Sequence, residues 1–226
     1  MTLPIQSPIS CLTDEEIQKL MSILEGEGKV LLSGEEYHVS ELRKFLDPNE
    51  WINGDLLNEF LSLRRKSLSP DIALLTSFDF DKLKRSVIFN GAKGFDSLKA
   101  IVETKKRVIY PVNVQNKHWL TVCLDTHPES MSLVLYDSLS NVRYEGIERT
   151  FQISFERLAV LLNSSFLYNF TYGAAPQQLD ESSCGISTVM NSLCLCNFQP
   201  LEQVTDRLLE IRQAILFAVL SDQIKC

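Results

Sequence analysis

Cys184 is followed by Gly185 and stands where the polar run Asp180-Glu181-Ser182-Ser183 gives way to an apolar segment that continues to about Leu195. A thiol at the start of a helix faces the positive end of the helix dipole and unpaired backbone donors, which favour the nucleophilic thiolate. The plainer alternative is a small buried residue that opens a core helix. Cysteine catalysis needs a base, and the chain has only three histidines. His38 lies in a polar N-terminal stretch and His127 in the turn Thr126-His127-Pro128-Glu129-Ser130, so both read as surface residues. His118 differs, because it opens a strand, Asn116-Lys117-His118-Trp119-Leu120, whose alternating apolar residues can hold the ring in place.

The next strand, Leu133-Val134-Leu135-Tyr136, ends in Asp137-Ser138. If the two strands pair antiparallel through the Thr126–Ser130 turn, the start of one lies beside the end of the other, and His118 and Asp137 become neighbours. An aspartate there would fix the imidazole tautomer and support the imidazolium; otherwise it is a strand-end turn former. Gln178, in Pro176-Gln177-Gln178 six residues before Cys184, could aim its amide at a substrate carbonyl beside the Cys184 N–H. Cys194 and Cys196 lie inside the apolar run without a nearby histidine, a poor zinc site. Cys123 reads as a strand core residue, and no metal or cofactor is expected.

These groups need elements to carry them. Thr13 with Glu16 reads as a capping box for an amphipathic helix through Leu24, and Val30–Leu32 as a small strand or turn. A short helix after Ser40 follows, then one capped by Asn53 that carries Leu56, Leu57, Phe60 and Leu61. Ala73–Thr76 suits a strand; Phe80–Phe89 and Phe95–Val102 suit helices around a Gly91–Gly94 turn. Val108–Val114, Trp119–Asp125 and Ser132–Asp137 are rich in β-branched and large apolar residues and read as neighbouring sheet strands. Phe151–Leu162 is helical in spacing, Ser165–Tyr172 is a short apolar stretch, and Leu201–Leu220 reads as a last amphipathic helix.

The sum is an α+β chain without repeats or low-complexity linkers. Its 226 residues, 45% hydrophobic and 23% charged, are enough for one well-cored domain. A net charge of −7 makes it a poor partner for phosphate backbones, so nucleic acid is not expected to bind. The six cysteines lack the spacing of a disulfide framework, which points to reduced thiols in an intracellular setting. No apolar run is long enough for a membrane span, and Met1–Ser10 lacks the pattern of a secretory signal.

In these motifs the chain resembles the Ulp/SENP cysteine proteases of clan CE, which remove SUMO and related ubiquitin-like modifiers. The resemblance runs from about Trp51 to about Leu195. It rests on His118-Trp119, Asp137-Ser138, and Pro176-Gln177-Gln178 followed by Cys184-Gly185. It implies a papain-like fold with a central mixed or antiparallel sheet flanked by helices. His118 would be the base, Asp137 its orienter, Gln178 the oxyanion donor and Cys184 the nucleophile. The family's Trp-Leu-Asn-Asp motif is similar to Trp51-Ile52-Asn53-Gly54 with Asp55 one place on. By that likeness Trp51 and Trp119, both tryptophans of the chain, would wall a tunnel that passes only a Gly-Gly tail, and Asp55 and Gln177 would also meet substrate. Two departures stand out: Ser183 where an acidic residue usually precedes the cysteine, and Gly54 in the docking motif.

The resemblance implies a thiol isopeptidase or endopeptidase that cleaves after the Gly-Gly of a ubiquitin-like modifier, SUMO in preference, and that deconjugates lysines or matures a precursor. Its partners would be the modifier and its conjugates, the enzyme a monomer of the cytoplasm or nucleus. Residues 1–50 would be a helical extension packed on a catalytic unit of residues 51–226, one structural domain in all. Two alternatives remain. One is a deubiquitinase or acetyltransferase of the same fold, possible in a bacterial effector; an acetyltransferase would carry glutamate where this chain has Asp137. The other is a non-catalytic module that binds a modifier, which should have lost Cys184, His118 or Asp137.

Overall fold

The computed structural model describes residues 7–32, 34–91, 93–127, 129–139 and 143–223. Ala92 and Pro128, in two of the expected turns, and Cys226 lie outside them.

Local signals set the first elements. The Thr13 hydroxyl accepts from the Glu16 N–H while the Glu16 carboxylate accepts from the Thr13 N–H, a reciprocal cap that starts helix α1, Asp14–Glu25. Strands β1, Lys29–Leu32, and β2, Glu35–His38, pair antiparallel, with Gly34 between them at φ +93°, backbone that glycine adopts without cost. Helix α2, Val39–Leu42, runs into a 3₁₀ turn at Arg43–Leu46. The Asn53 side chain then accepts from the Asp55 N–H at 2.7 Å and caps helix α3, Gly54–Arg65.

The centre is a five-stranded sheet. Its strands are β3, Ile72–Leu74; β4, Arg107–Val114; β5, His118–His127; β6, Ser130–Tyr136; and β7, Leu167–Gly173. They lie in that order, with β3/β4 and β6/β7 parallel and the two central pairings antiparallel. Helices α4, Ser77–Phe89, α5, Lys93–Thr104, and α6, Glu145–Leu161, cover one face. Helix α7, Cys184–Cys196, covers the other with α3, and α8, Leu208–Gln223, and α1 pack with them in the same core. Strand β5 is covered on both faces, with Leu120, Val122 and Leu124 in one core and Trp119 and Cys123 in the other. That is why its sequence is a nearly unbroken apolar run. Helix α7 is buried at every position, which explains an apolar surface all round.

Residues from the N-terminal part, among them Leu20, Leu24, Val39 and Phe45, share this second core with α3, α7 and α8. Two elements differ from the pattern-based expectation. The short apolar stretch Ser165–Tyr172 supplies an edge strand, β7, parallel to β6. The last helix begins at Leu208, after a 3₁₀ turn at Thr205–Arg207. Residues 201–204 are tethered instead: Ser7 donates to Glu202 at 2.8 Å and Gln203 donates to the Gln177 carbonyl at 2.9 Å. Those tertiary bonds outweigh a helical spacing of apolar residues.

Candidate active site

The β5/β6 hairpin positions His118 and Asp137. Its register pairs Thr121 with Tyr136, so continuation puts Asp137 opposite Leu120 and His118 diagonal to it on the same face. His118 Nε2 lies 2.7 Å from Asp137 Oδ1. A carboxylate only accepts, so the proton is on Nε2 and Nδ1 is left for another partner. That Nδ1 is buried without a formed hydrogen bond, yet the Cys184 sulfur is close enough to act on the ring. Such a loose thiol–imidazole contact is ordinary in a site without substrate. Burial opposes charge on the imidazole, but the Asp137 hydrogen bond, the Cys184 sulfur and the charges of both outweigh it and push the ring up to about 9.

Cys184 is the first residue of α7 and is buried. Ser183 precedes it but makes no side-chain cap; its hydroxyl donates to Asp180 Oδ2 at 2.8 Å. The first-turn N–H groups of the helix are therefore not covered by that side chain. Asp180 also accepts from the Ser182 and Ser183 N–H groups at 2.8 and 2.6 Å. Burial works against the Asp180 charge, and these bonds, the Ser183 hydroxyl foremost, override it and hold the carboxyl below its usual range. The polar run before Cys184 is thus one turn folded around a single carboxylate.

Gln178 is buried beside this turn. Its Oε1 accepts from the Ser138 hydroxyl at 2.7 Å and its Nε2 donates to the Asp180 carbonyl at 2.7 Å. The Asp180 carbonyl can only accept, so it fixes which end of the amide is which, and one Nε2–H stays uncommitted among the described residues. Gln177 is spent differently: its amide donates to the carbonyls of Asp137 and Ala175, both at 3.0 Å, bracing this loop against the end of β6.

Glycine at 185 has a steric reason. A β-carbon there would lie 1.9 Å from Ile52 Cγ2 and 3.2 Å from Trp119 Cδ1, so the start of α7 sits directly on the residue after Trp51. Trp119 is packed in this wall at 3% exposure, whereas Trp51 is 43% exposed. At Gly54 a β-carbon would only touch the Trp119 ring, at 3.6 Å, so space does not demand that departure. Asp55 accepts a hydrogen bond from the Tyr37 hydroxyl, which joins α3 to the β1/β2 hairpin. Tyr37, Glu41, Lys44, Glu50, Trp51 and Asn53 line a cavity of about 300 Å³.

The other candidates stay apart. His38 and His127 are exposed. Burial pushes the Cys123 and Cys196 thiols up to about 12 and Cys194 to about 11, which keeps them protonated. A cavity of about 450 Å³ containing Asp71, Lys105, His127 and Phe166 lies at the far end of β5, away from this chemistry. Among the described residues no cluster of His, Cys, Asp or Glu is placed to hold a metal ion, and no helix is long and apolar enough to cross a membrane.

Spacing alone missed three side chains. Asp180 was legible only as part of a polar run. Tyr144 donates to Asp137 Oδ2 at 3.0 Å. Arg212, fully buried on α8, donates to the carbonyls of Phe45 at 2.7 Å, Pro48 at 3.3 Å and Glu50, and Ser182 donates to the same Pro48 carbonyl at 2.7 Å. The loop before Trp51 is thereby tied to α8 and to the turn before Cys184. The one signal for Arg212 was a charge inside an apolar helical run.

Three comparisons bear on this arrangement. The family described as "Ulp1 protease family, C-terminal catalytic domain" matches residues 50–216. "Ubiquitin-like-specific protease 1" of Saccharomyces cerevisiae is 22% identical over 216 residues, 94% of this chain and 34% of its own length; the chain thus spans about a third of that curated relative. Among solved structures, the C-terminal Ulp1 protease domain in complex with Smt3, the yeast ortholog of SUMO, is similar with a TM-score of 0.74 at 21% identity, over 96% of this chain and 99% of that one. The Xanthomonas campestris effector XopD bound to ubiquitin is similar at a TM-score of 0.51 and 17% identity, over 74% and 90%. At these identities the structural likeness carries the fold.

Proposed function

The chain belongs to the Ulp1 protease family, and from that premise we propose that it is a cysteine-type peptidase that cleaves after the C-terminal Gly-Gly of a ubiquitin-like modifier, SUMO in preference. The observation that carries this reading is the 2.7 Å bond between His118 Nε2 and Asp137 Oδ1, which leaves Nδ1 for the thiol at the head of α7.

His118 Nδ1 takes the Cys184 proton, and the sulfur attacks the carbonyl carbon of the terminal glycine. The developing oxyanion is met by the free Gln178 Nε2–H and the Cys184 N–H. His118, now imidazolium and held by Asp137, gives its proton to the leaving amine as the C–N bond breaks. Water attacks the thioester, His118 takes a proton from it, and the thiolate departs. Trp51 and Trp119 flank the path of the tail, where flat rings admit a residue without a side chain. Asp55 and Gln177 are read as supports of the substrate groove. Residues 1–50 are read as an extension on the unit 51–226, a reading supported by their shared core. The proposed setting is reducing, cytoplasmic or nuclear, with a monomer as the working form.

The test is a set of C-terminal electrophile probes on SUMO, ubiquitin and other modifiers, scored for a covalent adduct at Cys184. A SUMO adduct that Cys184→Ala abolishes, with folding intact, is expected. Labelling by ubiquitin alone overturns the substrate, and labelling by none overturns the peptidase reading.

A further inference from the structure

We propose that Tyr144 is a positioning residue for the reaction: its hydroxyl locks the Asp137 carboxylate so that one oxygen is held permanently toward His118. The inference rests on the reading of Cys184, His118 and Asp137 as nucleophile, base and orienter.

A carboxylate at the end of a strand can rotate, and only one orientation serves the base. In this protein every Asp137 oxygen has an assigned donor. Oδ1 accepts from His118 Nε2 at 2.7 Å and from the Leu139 N–H at 2.9 Å. Oδ2 accepts from the Tyr144 hydroxyl at 3.0 Å. The backbone carbonyl accepts from Gln177. Without the tyrosine hydroxyl, Oδ2 loses its donor and the carboxylate is held through Oδ1 alone.

Tyr144 is itself well anchored. Its carbonyl accepts from the Ile147 and Glu148 N–H groups at 2.8 and 3.0 Å, the opening turn of α6. Its N–H donates to the Tyr172 hydroxyl at 3.2 Å, and that hydroxyl donates in turn to Glu148. The tyrosine thus transfers the rigidity of α6 and β7 to the end of β6. Its ring also lies nearly parallel to the His118 imidazole, at 20° and 6.3 Å between centroids, on the flank of the base. Burial and the neighbouring Asp137 charge raise the Tyr144 phenol above its ordinary range, so the hydroxyl remains a donor throughout the working pH range. The titratable groups acting on it are Asp137, Tyr172 and Cys184, with Glu148 and Arg143 behind Tyr172.

Tyr144→Phe keeps the ring and removes the donor. With excess enzyme and single-turnover release of a C-terminal aminocoumarin from SUMO and from ubiquitin, the variant is expected to lose about tenfold in the acylation rate, as outer partners of site residues commonly do. Its half-saturating concentration should stay within about twofold, since ground-state binding is untouched. The decisive measurement is the double variant. If Tyr144 acts through Asp137, adding Tyr144→Phe to Asp137→Asn costs nothing further, whereas a purely structural role would subtract from both backgrounds alike. An additive loss, or a Tyr144→Phe enzyme as fast as wild type while Asp137→Asn is impaired, overturns this proposal alone. Full activity of Asp137→Asn, or no turnover of either substrate by the wild type, overturns the underlying reading and this proposal with it.

Discussion

Gly185→Ala offers a direct test of how the site is held. The added β-carbon would fall 1.9 Å from Ile52 Cγ2, while ordinary contact begins near 3.4 Å, so something must move by about 1.5 Å. Neither partner is a flexible chain end: Ile52 is 4% exposed and Trp119, 3.2 Å away, is 3% exposed. Overpacking of this kind costs roughly 1–3 kcal/mol. At about 2–4 °C per kcal/mol for a chain of this size, Tm should fall by roughly 2–12 °C. The larger effect is on rate, because the residue displaced is next to Cys184, the proposed nucleophile, and a misplacement of about 1 Å can cost on the order of a hundredfold. The assay pairs thermal unfolding with kcat/KM on a modifier–aminocoumarin substrate. Ile52→Ala in the same chain removes the methyl group in the way and should restore much of the lost rate, although it has its own cavity cost of about 2–5 kcal/mol. A Gly185→Ala enzyme with unchanged Tm and unchanged kcat/KM would refute the steric argument.

Three further outcomes follow from the same geometry. Gln178→Ala should lower kcat by about 10²–10³ with little change in KM, the signature of a donor that serves only the oxyanion; an equal loss in KM would point to ground-state binding instead. Arg212→Met leaves the Phe45 and Glu50 carbonyls without their side-chain donor, while Pro48 keeps Ser182, and should cost about 2 kcal/mol or more in a urea titration, with KM raised because the Trp51 loop is released; an unshifted urea midpoint would contradict that. His118 has a folded pKa of about 9 against an ordinary 6.5, so the stability it contributes is complete below about pH 6.5 and is lost as pH rises through about 9. The wild-type Tm should decline across that window, with a shallower slope in Asp137→Asn, and identical slopes would remove Asp137 as the cause.

Much of the site was legible because it is local. His118 and Asp137 belong to adjacent strands of one hairpin, so period-two counting across a short turn was enough to bring them together. The cysteine is marked by a change from polar to apolar texture, and the caps at Thr13 and Asn53 lie within three residues of the groups they bond. Gln178 was legible by its distance from the cysteine, but not what anchors it, the hydroxyl and carbonyl of Ser138, 40 residues earlier in the chain. Strand β7 was seen only as an apolar stretch, because its parallel partner β6 lies beyond a whole helix. The helical spacing at 201–207 misled, because tethers from Ser7 and to Gln177 decide that backbone.

The sequence by itself determined the α+β class, the hairpin that brings His118 and Asp137 together, and the change of texture at Cys184-Gly185. Each follows from spacing or side-chain type over short range. Only the tertiary structure decided what holds those groups in place: the Arg212 clamp on carbonyls more than 160 residues away, the Tyr144 hydroxyl on Asp137, and the wall formed by Ile52, Trp119 and Gly185. A one-dimensional pattern says that a face is apolar or a side chain can donate. Which face or acceptor it meets depends on how helices from distant parts of the chain pack around the sheet.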